Sequence, residues 1–218
     1  MTEVRPFGEA ALQVTLGDAT DPTTLARVHA LARHVAADRT AGVAWGAPVP
    51  GMTTLLVPFD ARAWSGEVAR ARLACLLEEP LGHAPPVSVT THRVPVRYGG
   101  DDGPDLEAVA RRLGLTPERV VEVHASTTYQ VALLGFMPGF AYLGDLPGEL
   151  RLPRRDTPRT SVPAGSVAIA GRHTAVYPAT SPGGWHLLGR TEIVPWDIDR
   201  DPPALLRPGD RVRFEPVA

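Results

Sequence analysis

The sequence lacks the features that mark secreted, membrane-spanning or nucleic-acid-binding proteins. It has one cysteine, Cys75, so no internal disulfide can form and the fold does not depend on an oxidising compartment. Its 22 basic and 24 acidic residues nearly balance, which leaves no positive excess for nucleic acid. No apolar run approaches the roughly 20 residues of a membrane span. These absences predict a cytoplasmic protein that binds neither nucleic acid nor membrane.

Three common catalytic signatures are missing as well. There is no GxxxxGK[ST] phosphate loop, no cluster of cysteine and histidine with metal-ligand spacing, and no GxSxG nucleophile elbow. We therefore predict no metal site, and no nucleophile can be assigned from motifs alone.

Glycine and proline are abundant, with 21 and 23 residues, and they alternate with short apolar runs across residues 133–147 and 157–191. Glycine reaches backbone angles that clash for other residues and proline fixes φ, so this ordered alternation specifies rigid turns rather than a linker. The apolar runs at 166–170 and 173–177 predict short strands between the turns.

The first 80 residues predict a small α+β unit of the split βαβ kind, because strands and helices follow one another in the order strand, helix, strand, strand, helix. On the second helix we expect Trp64, Val68, Ala71 and Cys75 to share the buried face. The predicted elements are a strand or hairpin at 4–16, a helix after Asp21, strands at 42–46 and 52–59, and a helix at 61–79.

Residues 81–87 contain glycine and two prolines and interrupt both periodicities, so we predict two domains, 1–82 and 83–218. A β-rich second domain with few helices leaves no exposed edges when it closes into a barrel. Its predicted elements are strands at 89–97, 129–134 and 207–214, and helices at 104–113 and 117–125.

Arginines surround a proline-rich turn in the second domain. The guanidinium group is a planar fork that binds a carboxylate or phosphate at two points. We take Arg155 and Arg159 as catalytic candidates and expect Arg154 to be solvated. The alternative is a basic loop whose charges pair with acidic residues nearby.

His124 lies at the end of a predicted helix, before a strand that leads into residues 133–147. One interpretation is structural, with the last helix carbonyls holding the ring and the helix dipole favouring its charged form. The other is a general base or substrate ligand at the rim of the barrel. Both stay open at this point, and we include His124 among the catalytic candidates.

The segment SPGGWHLLG at residues 181–189 is a candidate substrate site. Two glycines, Gly183 and Gly184, leave backbone amides accessible, as an oxyanion or phosphate site requires. Ser181, Trp185 and His186 belong to the same candidate site. The alternative is a tight turn in which Trp185 packs as core.

Four motifs follow one another in the second domain: GFMPGF at 135–140, TPR at 157–159, VPAGSVAIAG at 162–171 and SPGGWHLLGRT at 181–191. In this order they resemble the KipI-like proteins, a family also known as the B subunit of 5-oxoprolinase or as allophanate hydrolase subunit 1. Fainter likeness reaches VPVRYGGDDGPDL at 94–106 and residues 7–14, so the resemblance spans most of the chain.

The resemblance implies a cyclophilin-like C-terminal barrel. The expected fold class is thus α+β, with an N-terminal split βαβ-like sandwich followed by a cyclophilin-like β-barrel. A family segment with a histidine and a serine before a tyrosine matches His124, Ser126 and Tyr129. We add Gly139 and Phe140 of the GFMPGF turn to the substrate-binding candidates. The family's usual residue after the tryptophan is a polar amide, where this chain has a histidine.

The resemblance also implies a function: one component of an ATP-dependent 5-oxoprolinase, which opens 5-oxo-L-proline to L-glutamate. ATP would act in the complex, and the partners would be two further proteins, one KipA-like and one LamB/YcsF-like. Because the motifs supply no complete active site, we expect a shared site and no activity from this chain alone.

One alternative is a KipI-type regulator that binds and inhibits a sensor histidine kinase. Another is a protein related to carboxyltransferases and allophanate hydrolase. A prolyl isomerase would rest on fold analogy alone and is set aside.

Overall fold

The computed structural model describes residues 2–18, 21–79 and 88–217. The chain divides into two compact units, Met1–Ser88 and Val89–Ala218. The predicted boundary at 81–87 lies outside the described residues, so its place stays a prediction. Within the described ranges, no helix combines the length and the apolar character needed to cross a membrane.

The first unit has a four-stranded sheet in the order β1-β2-β4-β3, with every pair antiparallel. The predicted hairpin about Gly8 is confirmed, with a positive φ of 64° at that glycine. The strand predicted at 42–46 is wrong, because this segment forms only an isolated bridge between Trp45 and Phe59. The elements are β1 (Glu3–Pro6), β2 (Ala11–Thr15), α1 (Pro22–Thr40), β3 (Val49–Pro50), β4 (Thr54–Pro58) and α2 (Gly66–Glu78).

Helix α1 begins as predicted, with Asp21 accepting hydrogen bonds from two backbone amides of the first turn. The predicted buried face of α2 is wrong. The helix buries Ala69, Leu73 and Leu76, while Cys75 is exposed. The helix starts after the Ser65 cap, so the tryptophan used to set the predicted face precedes the helix.

The second unit is built on a seven-stranded closed barrel in the order β10-β7-β6-β13-β5-β12-β9, which confirms the predicted barrel. Strands β8 and β11 form a separate two-stranded sheet. Among the residues that the structure describes, one strand pair of this unit is parallel, β13 with β5, and the other pairs are antiparallel. The elements are β5 (Thr91–Tyr98), α3 (Leu106–Leu113), α4 (Pro117–Ser126), β6 (Thr128–Leu134), β7 (Ala141–Gly144), a 3-10 helix (Gly148–Leu150), β8 (Arg159–Val162), β9 (Ser166–Ala170), β10 (His173–Val176), β11 (Ser181–Gly183), β12 (His186–Arg190) and β13 (Arg211–Pro216).

The start of α3 is fixed against strand β12. A Cβ atom on Gly103 would lie 2.0 Å from the Leu188 carbonyl oxygen, so only glycine fits this approach. The Asp105 amide donates to the Leu187 carbonyl at 3.1 Å. This anchoring sets the position of the Asp105 carboxylate, around which the candidate site is arranged.

Candidate functional site

A pocket of about 320 Å³ opens to solvent beside the start of α3, residues 152–157 and the start of β12. Two of the residues singled out from the sequence, Arg155 and His186, line it. No group of three metal-ligating side chains occurs in the part of the chain that the structure describes. The lining residues are Asp105, Ala108, Val109, Arg112, Leu152, Arg155, Asp156, Thr157 and His186.

Asp105 is a buried carboxylate, 5% exposed, shared by two arginines. It accepts from Arg155 Nη1 at 2.9 Å and from both Nη atoms of Arg159 at 2.8 Å. The Leu187 amide donates to it at 2.7 Å. Burial alone would raise the pKa of Asp105, but the bonds from Arg159 and Leu187 outweigh burial and hold that pKa below its ordinary value. The ionised carboxylate therefore leaves one net positive charge on this group of three side chains.

Arg155 and Arg159 differ in how many of their guanidinium nitrogens remain available to a ligand. Both terminal nitrogens of Arg159 are held by Asp105, and Arg159 does not line the pocket. Arg155 gives Asp105 only one nitrogen, and its Nε is buried without a hydrogen-bond partner among the described residues. We therefore expect Arg155 rather than Arg159 to contact a ligand. A catalytic role for Arg159 stays a prediction, and its contacts favour holding Asp105 in place.

His186 is 7% exposed and supplies a neutral ring to the pocket. Its Nε2 lies 2.9 Å from the Pro153 carbonyl oxygen, which can only accept, so Nε2 carries the proton and Nδ1 is an acceptor. Burial lowers the pKa of His186, which keeps the ring neutral. A neutral imidazole thus can both donate and accept a hydrogen bond, as a side-chain amide can.

The turn before His186 lies beside Arg159, and its residues Ser181 and Trp185 are buried. Gly183 is paired with Arg159 across β8 and β11. A Cβ atom on Gly183 would lie 2.4 Å from the Tyr177 hydroxyl, so the position requires glycine. The Gly184 carbonyl accepts from the Arg155 amide at 2.8 Å, which fixes the backbone of Arg155. Ser181 is buried, and its hydroxyl has no hydrogen-bond partner in the described ranges.

The aromatic candidates form core and do not line the pocket. Trp185 is 5% exposed, and its ring centre lies 5.6 Å from that of Phe140, so core packing is the arrangement observed. Gly139 has φ 79°, and a Cβ atom there would lie 2.6 Å from Trp196. These contacts place Gly139 and Phe140 in packing, whereas Phe136 of the same turn is exposed, and a substrate-binding role for Gly139 and Phe140 stays a prediction.

The expected position of His124 at the barrel rim is wrong, since the side chain is fully buried. Its Nε2 lies 2.8 Å from the Thr174 hydroxyl, which donates onward to a backbone carbonyl, and its Nδ1 lies 2.7 Å from the Tyr98 hydroxyl. Burial lowers the pKa of His124 to about 3, so the charged form included in the structural interpretation is wrong as well, and a catalytic role for His124 stays a prediction. The ring stacks on Phe214 and completes a hydrogen-bonded network inside the unit.

Sequence reasoning missed Asp105 and Arg112. An aspartate before a helix is ordinarily assigned to capping, yet the Asp105 side chain makes no cap hydrogen bond. Its partners Arg155 and Arg159 lie 50 and 54 residues away in the sequence, so no local spacing connects them.

A family model matches residues 2–206, that of the carboxyltransferase domain, subdomain C and D. The chain is 35% identical to the B subunit of 5-oxoprolinase from Bacillus subtilis (strain 168) over 97% of this chain and 91% of the relative. It is 57% identical to the B subunit of 5-oxoprolinase from Escherichia coli O157:H7 over 123 residues, 56% of each protein. The match thus spans about half the length of the E. coli relative.

Among solved structures, the fold is similar to that of TTHA0988, with a TM-score of 0.82 at 38% identity. The alignment covers 99% of this chain and 40% of that chain. The likeness thus extends over nearly the whole chain, and the family model matches residues 2–206. The chain belongs to the carboxyltransferase-domain family, subdomain C and D, in the KipI-like group that includes the B subunit of 5-oxoprolinase.

Proposed function

We propose that this chain is one component of an ATP-dependent 5-oxoprolinase, which converts 5-oxo-L-proline to L-glutamate while ATP is hydrolysed to ADP and phosphate. The observation that carries the proposal is near-full-length likeness to a protein named as the B subunit of 5-oxoprolinase. The pocket supports it, because arginines beside a buried carboxylate suit a small anionic substrate.

The pocket binds and orients but supplies no activated nucleophile. The hydroxyl that lines it, on Thr157, is exposed and bonds to no base among the described residues. The active site is therefore shared, and the remaining groups come from a KipA-like partner and a LamB/YcsF-like partner. Arg155 and Arg112 hold the substrate anion, His186 orients the substrate, and Asp105 keeps Arg155 in place.

We propose that ATP binds elsewhere in the complex, and we assign no residue of this chain to it. The pocket volume of about 320 Å³ is at the lower end for ligand sites, and a Gly-rich phosphate loop is absent from the sequence.

Reconstitution tests the proposal. The purified chain alone should release no ADP in response to 5-oxo-L-proline, and mixing it with the KipA-like and LamB/YcsF-like partners should produce release that depends on 5-oxo-L-proline. Comparable turnover by the chain alone would contradict the shared site. Absence of turnover in the mixture would contradict the function.

A carboxyltransferase-related role is the second candidate, and the family match favours it. The same arginines would then hold a carboxylated substrate. Incorporation of labelled bicarbonate by the reconstituted complex, in place of ring opening, would select this role.

We also propose that the units correspond to a split βαβ-like domain at 1–82 and a cyclophilin-like domain at 83–218. Each segment, produced separately, should unfold cooperatively, because each unit has its own buried cluster. A fragment that stays unfolded by circular dichroism would contradict its independence.

A further inference from the structure

We infer that the pocket binds a small molecule in which a carboxylate lies next to an N–H group, with Arg155 and Arg112 on the carboxylate and Nδ1 of His186 on the N–H. The inference rests on the proposed function, since 5-oxo-L-proline is such a molecule. It deepens that function by placing the substrate on this chain and by giving each end of the substrate its protein partner.

Two cationic groups recognise the carboxylate. Arg159 and Asp105 satisfy one another through two hydrogen bonds at 2.8 Å, so the charge of Arg155 is left over. Arg155 also retains a buried Nε without a partner in the described ranges. Arg112 lines the same pocket and forms no ion pair with any residue that the structure describes. A carboxylate between these guanidinium groups would receive charge-assisted hydrogen bonds.

The acidic residues of the pocket wall leave one positive charge for a ligand. Asp156 and Arg112 both line the pocket and both are exposed, so water and salt screen these two opposite charges alike. Asp105 is buried and already accepts from four donors, three of them on Arg155 and Arg159. The net charge that the pocket presents to a small ligand is therefore the single positive charge left over by Arg155, with Arg112 as a second, exposed donor.

His186 recognises the N–H group. Its Nε2 is engaged on the Pro153 carbonyl, so the ring atom left for a ligand is Nδ1, an acceptor. A ligand with an N–H group can donate a hydrogen bond to Nδ1. A ligand that has only acceptor atoms cannot, and its lone pair would repel the lone pair of Nδ1. The site thereby distinguishes a lactam from a lactone.

The volume and the lining residues of the pocket fit a small cyclic molecule. The volume of about 320 Å³ is about ten times the roughly 30 Å³ that one water molecule occupies in the liquid. Ala108, Val109 and Leu152 add an apolar wall to the polar groups. Ring carbons can pack there while the carboxylate and the N–H face the charged side.

Ligand analogues test each half of the recognition on the full chain. Binding of 5-oxo-L-proline is measured by titration followed by NMR shifts of the Arg Nε–H and backbone amide signals. Removing the carboxylate, with 2-pyrrolidinone, should weaken binding by about 10- to 100-fold. Blocking the N–H, with the N-methyl lactam or the corresponding lactone, should weaken binding by about 3- to 10-fold.

Arginine variants locate the site. Arg155→Gln and Arg112→Gln should each weaken 5-oxo-L-proline binding by about 10-fold or more. Arg154→Gln is the matched control: it removes the same charge from the neighbouring position, which does not line the pocket, so affinity should change less than about 2-fold.

The outcomes separate this inference from the proposed function. Saturable binding that Arg155→Gln weakens and Arg154→Gln spares supports the inference. Absence of binding at millimolar 5-oxo-L-proline, or equal effects of the two variants, overturns it. If the reconstituted complex still turns over 5-oxo-L-proline in that case, the function stands and the substrate lies elsewhere. Equal affinity for lactam and lactone overturns the role of His186.

Discussion

The shared carboxylate of Asp105 should be one of the most stabilising polar groups of the second unit. Asp105→Asn removes the charge that two guanidinium groups share, and the remaining amide oxygen can still accept from the Leu187 amide. Breaking a buried ion pair by removing one partner costs about 3–5 kcal/mol. Because one hydrogen bond survives, we expect the lower end, about 3 kcal/mol of unfolding free energy.

Urea unfolding followed by tryptophan fluorescence and circular dichroism measures this loss. The matched control is Asp145→Asn, because Asp145 also pairs with two arginines, Arg151 and Arg172, but its side chain is 43% exposed against 7% for Asp105. Exposed pairs contribute about 0.2–1 kcal/mol each, so the control, which loses two such pairs, should lose about 2 kcal/mol at most. A loss at Asp105 no larger than at Asp145 would refute the importance of burial here.

The pH dependence gives a second check on Asp105. Its pKa in the folded chain lies below its ordinary value, which is about 3.9 in an unfolded chain. The stabilisation is therefore fully present above about pH 3.9 and is lost as pH falls through the lower folded pKa. The gap between wild type and Asp105→Asn should be constant from neutral pH to about pH 4 and should narrow below it.

Three further substitutions test other parts of the second unit. Arg159→Lys keeps one bond to Asp105 and loses the fork, so unfolding free energy and complex turnover should fall together; normal melting with lost turnover would instead mean that Arg159 contacts substrate. His124 is held neutral, with its pKa lowered to about 3, while the unfolded chain binds a proton below about pH 6.5. Wild type should therefore lose up to about 1.4 kcal/mol more per pH unit than His124→Gln as pH falls from about 6.5, measured by urea titrations; parallel curves would contradict the assignment. Gly183→Ala should lower the melting temperature, since overpacking costs about 1–3 kcal/mol, and Tyr177→Phe should relieve part of the loss; a normal melting temperature would contradict the close contact.

Much of the fold follows from local sequence. Asp21 before Pro22 marked the start of α1, and Thr116 before Pro117 marked that of α4. The phase of α2 could not be predicted, because Trp64 packs against Trp45 from outside the helix, at a ring distance of 4.8 Å. That contact joins distant parts of the chain and leaves no periodic signal.

The site was predictable in residue type but not in arrangement. Glycine and proline spacing indicated rigid loops around Arg155 and His186, and both line the pocket. Which candidates line the pocket depends on burial. Trp185 packs into the core and His124 lies fully inside the unit, and side-chain chemistry alone predicts neither position. Asp105 was hidden because its partners come from a different part of the chain.

Strand β5 opens the second unit, and its parallel partner β13 ends it, with Thr91 beside Arg211. This pairing spans about as many residues as the unit contains, so the barrel has high contact order and should close slowly. During synthesis at about 5–20 residues per second, β5 cannot pair with β13 until β13 has left the ribosome. One side of strand β5 pairs with β12, and its other side is an open hydrogen-bonding edge in the nascent chain until β13 is in place.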